Sequence, residues 1–252
     1  MRIASPGHAA LALVMIALGS QGLITRQFTA VWDPVPKGAP AREVLIYLCA
    51  LISLASGLGS LWKRTAGIAA RAMWAWLLLW VLVFRVPVIV RAPASILSWD
   101  GWAETTAMLS GAWVLYAWFA EAWDRRRLGF ATGESGVRLA RALYGLALIP
   151  SGLVHLAYIN ATASLVPAWI PAHTFWAYFT GVAFLAAGAG LVLGVFTRLA
   201  AALSALQIGL FTLLCGCRSW CRAPRTRISG ASSRSRPRSP PRRGWWRIPV
   251  AR

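Results

Sequence analysis

The chain has 252 residues, 58% of them apolar and only 13% charged, with a net charge of +19 and a mean hydropathy of +0.59. This composition excludes a disordered chain, a fibrous repeat and a small disulfide scaffold, and its charged share is about half that of an ordinary soluble domain. The positive charge is concentrated: residues 215–252 hold eleven arginines and no acid, leaving +8 on the first 214 residues. The pattern predicts an all-α, polytopic transmembrane helical bundle followed by an Arg/Pro/Ser-rich tail.

A helix needs about 20 mostly apolar residues to cross a bilayer, because no water there can satisfy bare backbone groups. Seven stretches meet that requirement: roughly 8–25, 43–61, 70–90, 103–123, 138–159, 174–195 and 198–215. The first also has the look of a signal peptide, with Arg2 before an apolar run and small residues at Gly19 and Ser20, but the series of spans that follows favours a helix that stays. None of these runs alternates in polarity over ~10 residues as β-barrel strands do. Many tryptophans, among them Trp62, Trp99, Trp102, Trp123 and Trp169, fall near span ends, where headgroups favour aromatic rings.

With alternating spans, one side of the membrane receives ten basic residues, among them Arg71, Arg125–Arg127 and Arg198, and the other five, including Arg26, Arg85 and Arg91. The basic side is the cytoplasm, so the N-terminus is expected there. Seven spans then leave the arginine tail outside, against the same trend.

The chain also repeats itself. At an offset of 131, Tyr47, Leu54, Ala55, Gly57, Gly59, Ala69 and Ala70 meet identical residues at Tyr178, Leu185, Ala186, Gly188, Gly190, Ala200 and Ala201. The loop Val31–Pro36 rhymes with Val166–Pro171, and Gly22-Leu23 with Gly152-Leu153. We read a tandem four-helix repeat: a first unit over 1–124, a basic cytoplasmic loop over 125–137, and a second unit over 138–214 with three helices. The counterpart of Trp102-Ala103-Glu104 would fall near residue 233, inside the tail. Read one base out of register, GC-rich codons for residues 228–234 can spell Trp-Ser-Glu-Phe-Ala-Val. The tail over 215–252 is thus either disordered or the product of a frameshift that removed the eighth helix. Cys215, Cys217 and Cys221 lack the fourth ligand and spacing of a zinc or cluster site, so no metal is expected. Cys49 is expected to be a small buried residue.

Ionisable groups inside a bilayer are functional candidates. His155 lies late in the fifth span and could hydrogen-bond a ligand or relay a proton. Arg85 precedes Pro87, which frees a backbone carbonyl and bends the helix, and it is expected to pair with Glu104 while reaching toward the membrane surface. Glu121 and Asp124 are expected to form a solvated boundary at a helix end. The candidate ligand-facing set is His155, Tyr158, Arg85, Glu104 and Trp102, with no catalytic residue assigned.

The stretch Ala140–Leu214 resembles the DoxX family of small bacterial membrane proteins. The likeness is carried by Gly145–His155, by the turn Pro167-Ala168-Trp169-Ile170-Pro171, by Phe175–Gly181 and by Thr197-Arg198-Leu199-Ala200-Ala201. The resemblance implies a four-helix membrane unit in the bacterial inner membrane, with residues 8–123 as a divergent copy. It also implies an accessory, non-catalytic subunit linked to quinone or to a redox complex, with the bilayer and a redox subunit as partners and no nucleic acid. A small-solute carrier and a membrane scaffold are the alternatives.

Overall fold

Ser5 opens the first helix, its side-chain oxygen accepting the His8 amide at 3.2 Å while Pro6 occupies the first turn, where a missing N–H costs nothing. In the computed structural model the described residues are 5–222 except 34 and 37, with side chains described through 211 apart from residue 30. The stretch from 223 onward and the side chains of Cys215, Cys217, Trp220 and Cys221 lie outside the described residues, and with them the expectations about the tail.

Among the described residues ten α-helices follow in order: α1 Pro6–Thr25, α2 Arg42–Ser60, α3 Ala66–Trp80, α4 Val86–Arg91, α5 Ile96–Phe119, α6 Ala122–Arg127, α7 Gly133–Ala157, α8 Ile159–Leu165, α9 His173–Leu193 and α10 Thr197–Arg222. No strand occurs among the described residues. The all-helical membrane reading therefore stands, but not every expected span meets the same standard. Among the described residues five helical stretches are long and apolar enough to cross a membrane: Pro6–Thr25, Arg42–Ser60, Ala66–Arg91, Gly133–Ala157 and His173–Leu193. Helix α5 has 24 residues, but Asp100, Glu104 and the Thr105-Thr106 pair dilute its apolar character. In α10 the apolar stretch is the shorter Thr197–Phe211.

Helices α3 and α4 form one continuous rod joined by a π-helical turn, Val81–Arg85. Pro87 cannot donate to the carbonyl four residues back, and the rod absorbs that lost bond by widening. The extra residue in the turn rotates Arg85 inward, as described below.

Neighbouring helices pack mainly in chain order. The largest interfaces join α1 to α2, α7 to α9, and α5 to α7, while α3 links α2 to α5 and α10 lies on α9. Small residues allow this approach: a Cβ on Gly188 would lie 2.8 Å from the Gly145 carbonyl, and one on Gly145 equally close to the Gly188 carbonyl. Close backbone contact replaces the hydrophobic drive that lipid cannot supply. Met15, Cys49, Met73, Leu77, Trp80, Leu109 and Tyr116 bring α1, α2, α3 and α5 into one core. The core of α7, α9 and α10 is smaller, built on Leu148, Phe184 and Leu191.

Two helix pairs begin at the offset defined by the sequence identities, α2 and α9 at Arg42 and His173, α3 and α10 at Ala66 and Thr197. The residues capping α2 and α9, Ala41 and Ala172, both have left-handed backbone, with φ of 54° and 57°. That conformation is rare for alanine. Ala50 packs against Gly22, and Gly181, its counterpart, against Gly152.

One expectation fails at the end of the bundle where α1 begins. Asp124 is not a solvated boundary residue: its side chain is only 1% exposed. Arg71 donates to its Oδ2 at 2.5 Å, the Tyr116 hydroxyl to its Oδ1 at 3.1 Å, and the Glu121 amide to Oδ2 at 3.0 Å. Glu121 caps α6 and Asp124 reciprocates in a capping box, a pattern that draws the carboxylate in against α3. Burial pushes the Asp124 carboxyl up, but the three hydrogen bonds outweigh it and hold it below the usual carboxylate range. At the same end His8 is buried, its Nε2 2.9 Å from the Ser60 carbonyl and its ring edge-on to Phe119.

Candidate functional site

The expected ionisable residues gather along the seam where α5 meets its neighbours. Arg85 does not reach for the membrane surface; it is 5% exposed. Its Nε donates to the Thr105 hydroxyl at 2.8 Å and Nη2 to the Val31 carbonyl at 3.3 Å, while Thr105 donates to that same carbonyl at 3.0 Å. The inward turn of the π-helical segment puts the guanidinium there, and Gly101 makes room for it: a Cβ at that position would lie 2.7 Å from Nη1. Glu104, exposed on the same helix, supplies negative charge to Arg85 together with Asp33 and Asp100.

Asp100 carries the seam toward α7, where it faces Ser151 and His155. The His155 ring is half-buried. Its Nδ1 lies 2.8 Å from the Ser151 carbonyl, and since a carbonyl only accepts, Nδ1 carries the proton in this arrangement. Phe184 and Phe211 stand edge-on to the ring at 5.4 and 6.1 Å. Trp102 packs on the wall of the first core and meets Trp99 edge-on. Tyr158, which ends α7, is 45% exposed. Asp100 thus links the surroundings of Arg85 and Glu104 to those of His155.

Beside that seam lies a feature the sequence did not announce. A cavity of about 410 Å³ opens between α8, α9 and α10. Leu203, Leu206, Leu210 and Phe179 line it and are each about half exposed, so its mouth lies on the apolar flank of the bundle. Among the described residues its polar side chains are Thr162, Thr180, Gln207 and, through the indole N–H, Trp176. Phe211 lines the cavity and contacts the His155 ring on its other side, so a single aromatic ring connects cavity and seam.

Bulk differs at the positions related by the sequence offset. At 131 residues, Cys49, Trp76 and Trp80 stand where Thr180, Gln207 and Phe211 stand. Trp80 is 2% exposed and Trp32, 1% exposed, packs edge-on against it at 5.2 Å. The two indoles of Trp76 and Trp80 are larger than the amide and phenyl ring that line the cavity.

Asp100, Ser151, Thr105 and Gln207 were missed in the sequence. The first three gain meaning only from helix contacts. Gln207 did leave a signal, a lone amide within the apolar run Leu203–Phe211, overlooked because only ionisable groups were sought. Among the described residues no three His, Cys, Asp or Glu side chains gather as a metal site would require.

Comparison with curated proteins and with solved structures gives no match. A family model does match: residues 136–215, which cover most of α7, all of α8 and α9 and most of α10, are similar to the DoxX family.

Proposed function

We propose that the chain is an accessory subunit of the bacterial inner membrane that holds a lipid-soluble molecule of the quinone class for a redox partner. The observation that carries this reading is the cavity of about 410 Å³. It is of the size of small-molecule sites, apolar with a few polar groups, and it opens toward lipid, from which such a molecule would enter. His155 lies one ring away. In this reading α5 and α10 join the five apolar helices as spans, giving seven. The first and second halves are tandem copies, supported by the shared helix starts and left-handed caps. The N-terminus is cytoplasmic, which puts His155, Arg85, Glu104 and the cavity in the outer half of the membrane. A pure scaffold would have no need of such a void. A solute carrier would bring His155 and the Arg85–Glu104 group onto one central cavity, whereas this cavity lies on the bundle's flank.

The test is titration of the protein in lipid nanodiscs with decylubiquinone, oxidised and reduced. Saturable binding of at least one form above empty discs is expected, and Ala183→Trp, which fills the cavity, should abolish it. Partitioning no different from empty discs, or undiminished binding by a folded Ala183→Trp protein, would refute the proposal.

A further inference from the structure

The polar groups of the cavity are not neutral in their hydrogen-bonding sense. Thr180 is already committed as a donor, its hydroxyl hydrogen directed to the carbonyls of Trp176 at 2.9 Å and Ala177 at 3.0 Å. Thr162, 5% exposed, donates in the same way to the Tyr158 carbonyl at 3.2 Å. Gln207 donates through Nε2 to the Thr180 carbonyl at 3.1 Å. That last bond fixes the amide's orientation, because a carbonyl cannot face the amide oxygen. What these side chains leave for a ligand is therefore mostly lone pairs: Oε1 of Gln207 and the hydroxyl oxygens of Thr162 and Thr180. Against these three acceptors stand two donors, the second N–H of Gln207 and the indole N–H of Trp176.

From this inventory we infer that the cavity selects lipophiles that present a hydroxyl donor over those that present only carbonyl or ether oxygens. The inference rests on the reading of the cavity as a ligand site and adds the chemistry of the head group. A phenol or alcohol seated with its apolar body along Leu203, Leu206 and Leu210 donates to Gln207 Oε1 or a threonine oxygen. An ether in the same place can accept from the second Gln207 N–H or the Trp176 indole but donates nothing, and so leaves those acceptor oxygens without partners, which in an apolar site is costly. In a redox-active ligand the same preference favours the reduced, hydroxyl-bearing form.

The probes are 4-hexylphenol and its methyl ether, 4-hexylanisole, titrated calorimetrically into the full chain in nanodiscs and corrected for partition into empty discs. One donated hydrogen bond predicts about five- to tenfold tighter binding of the phenol. Gln207→Leu should bring the two ligands to within about twofold, chiefly by weakening the phenol. Thr180→Val, close in shape, should narrow the gap in the same direction, so the inference does not depend on one variant folding. Equal or tighter binding of the anisole overturns the inference, as does a phenol preference that both variants retain. If neither probe saturates, the cavity is no ligand site, and the proposed function fails with the inference.

Discussion

Removing the Asp124 carboxylate tests how α3, α5 and α6 are held together at the end where α1 begins. The Asp124→Ala protein loses the bonds from Arg71, Tyr116 and the Glu121 amide. Breaking a buried ion pair by deleting one partner costs about 3–5 kcal/mol. Arg71 is 37% exposed and can rehydrate, so the pair's share must be discounted, leaving a loss of about 2–3 kcal/mol. Unfolding in detergent micelles, followed by helical circular dichroism against added SDS, measures it, with Arg126→Ala on the exposed face of the same helix as control. The pH dependence has a definite sign. A carboxyl held below its usual range when folded contributes stability above its unfolded value, near about 3.9, and loses it as pH falls through the folded value. The wild-type protein should therefore lose this contribution only in acid, and the Asp124→Ala protein should lack that part of the acid slope. A variant as stable as the Arg126→Ala control, or one that keeps the full acid slope, would show that the cluster holds nothing together.

Three other changes bear on the same architecture. Arg85→Met leaves the Thr105 hydroxyl and the Val31 carbonyl without their guanidinium and should cost about 1–3 kcal/mol in the same unfolding assay; no loss would mean that Arg85 does not tie the α3–α4 rod to α5. Gly188→Leu drives a side chain into the Gly145 backbone and should separate α7 from α9, lowering stability by about 1–3 kcal/mol or more, against a negligible effect from the same change at the uncrowded Gly209. The double change Trp76→Gln and Trp80→Phe installs the residues of the second half in the first. It should cost stability as a cavity does, about 2–5 kcal/mol, and raise the binding stoichiometry of 4-hexylphenol from one to two per chain; a stoichiometry that stays at one would break the link between tryptophan filling and the missing cavity.

What could be read in advance follows from which forces are local. Five of the seven expected spans were legible because bilayer crossing is set by length and apolarity, properties of a single segment. The starts of α9 and α10 were implicit in the 131-residue identities. Asp124 was misjudged because three neighbouring arginines suggested water, whereas its partners Arg71 and Tyr116 come from other helices. Arg85 stands out in the sequence as a charge inside an apolar span, but its direction depends on the π-helical turn, which Pro87 hints at without fixing. The cavity was invisible for a different reason: it is an absence, and only packed coordinates reveal unfilled volume.

The account stands on that cavity being a seat for a lipid-soluble molecule. A 4-alkylphenol carrying a diazirine on its chain, photolysed with the protein in nanodiscs and mapped by peptide mass spectrometry, tests this most directly. Saturable labelling concentrated on the peptides that hold Thr180, Leu206 and Leu210, and competed by unlabelled 4-hexylphenol, is the predicted result. Labelling spread evenly over lipid-facing residues such as Leu13, Ile68 and Val90, and not competed, would contradict it.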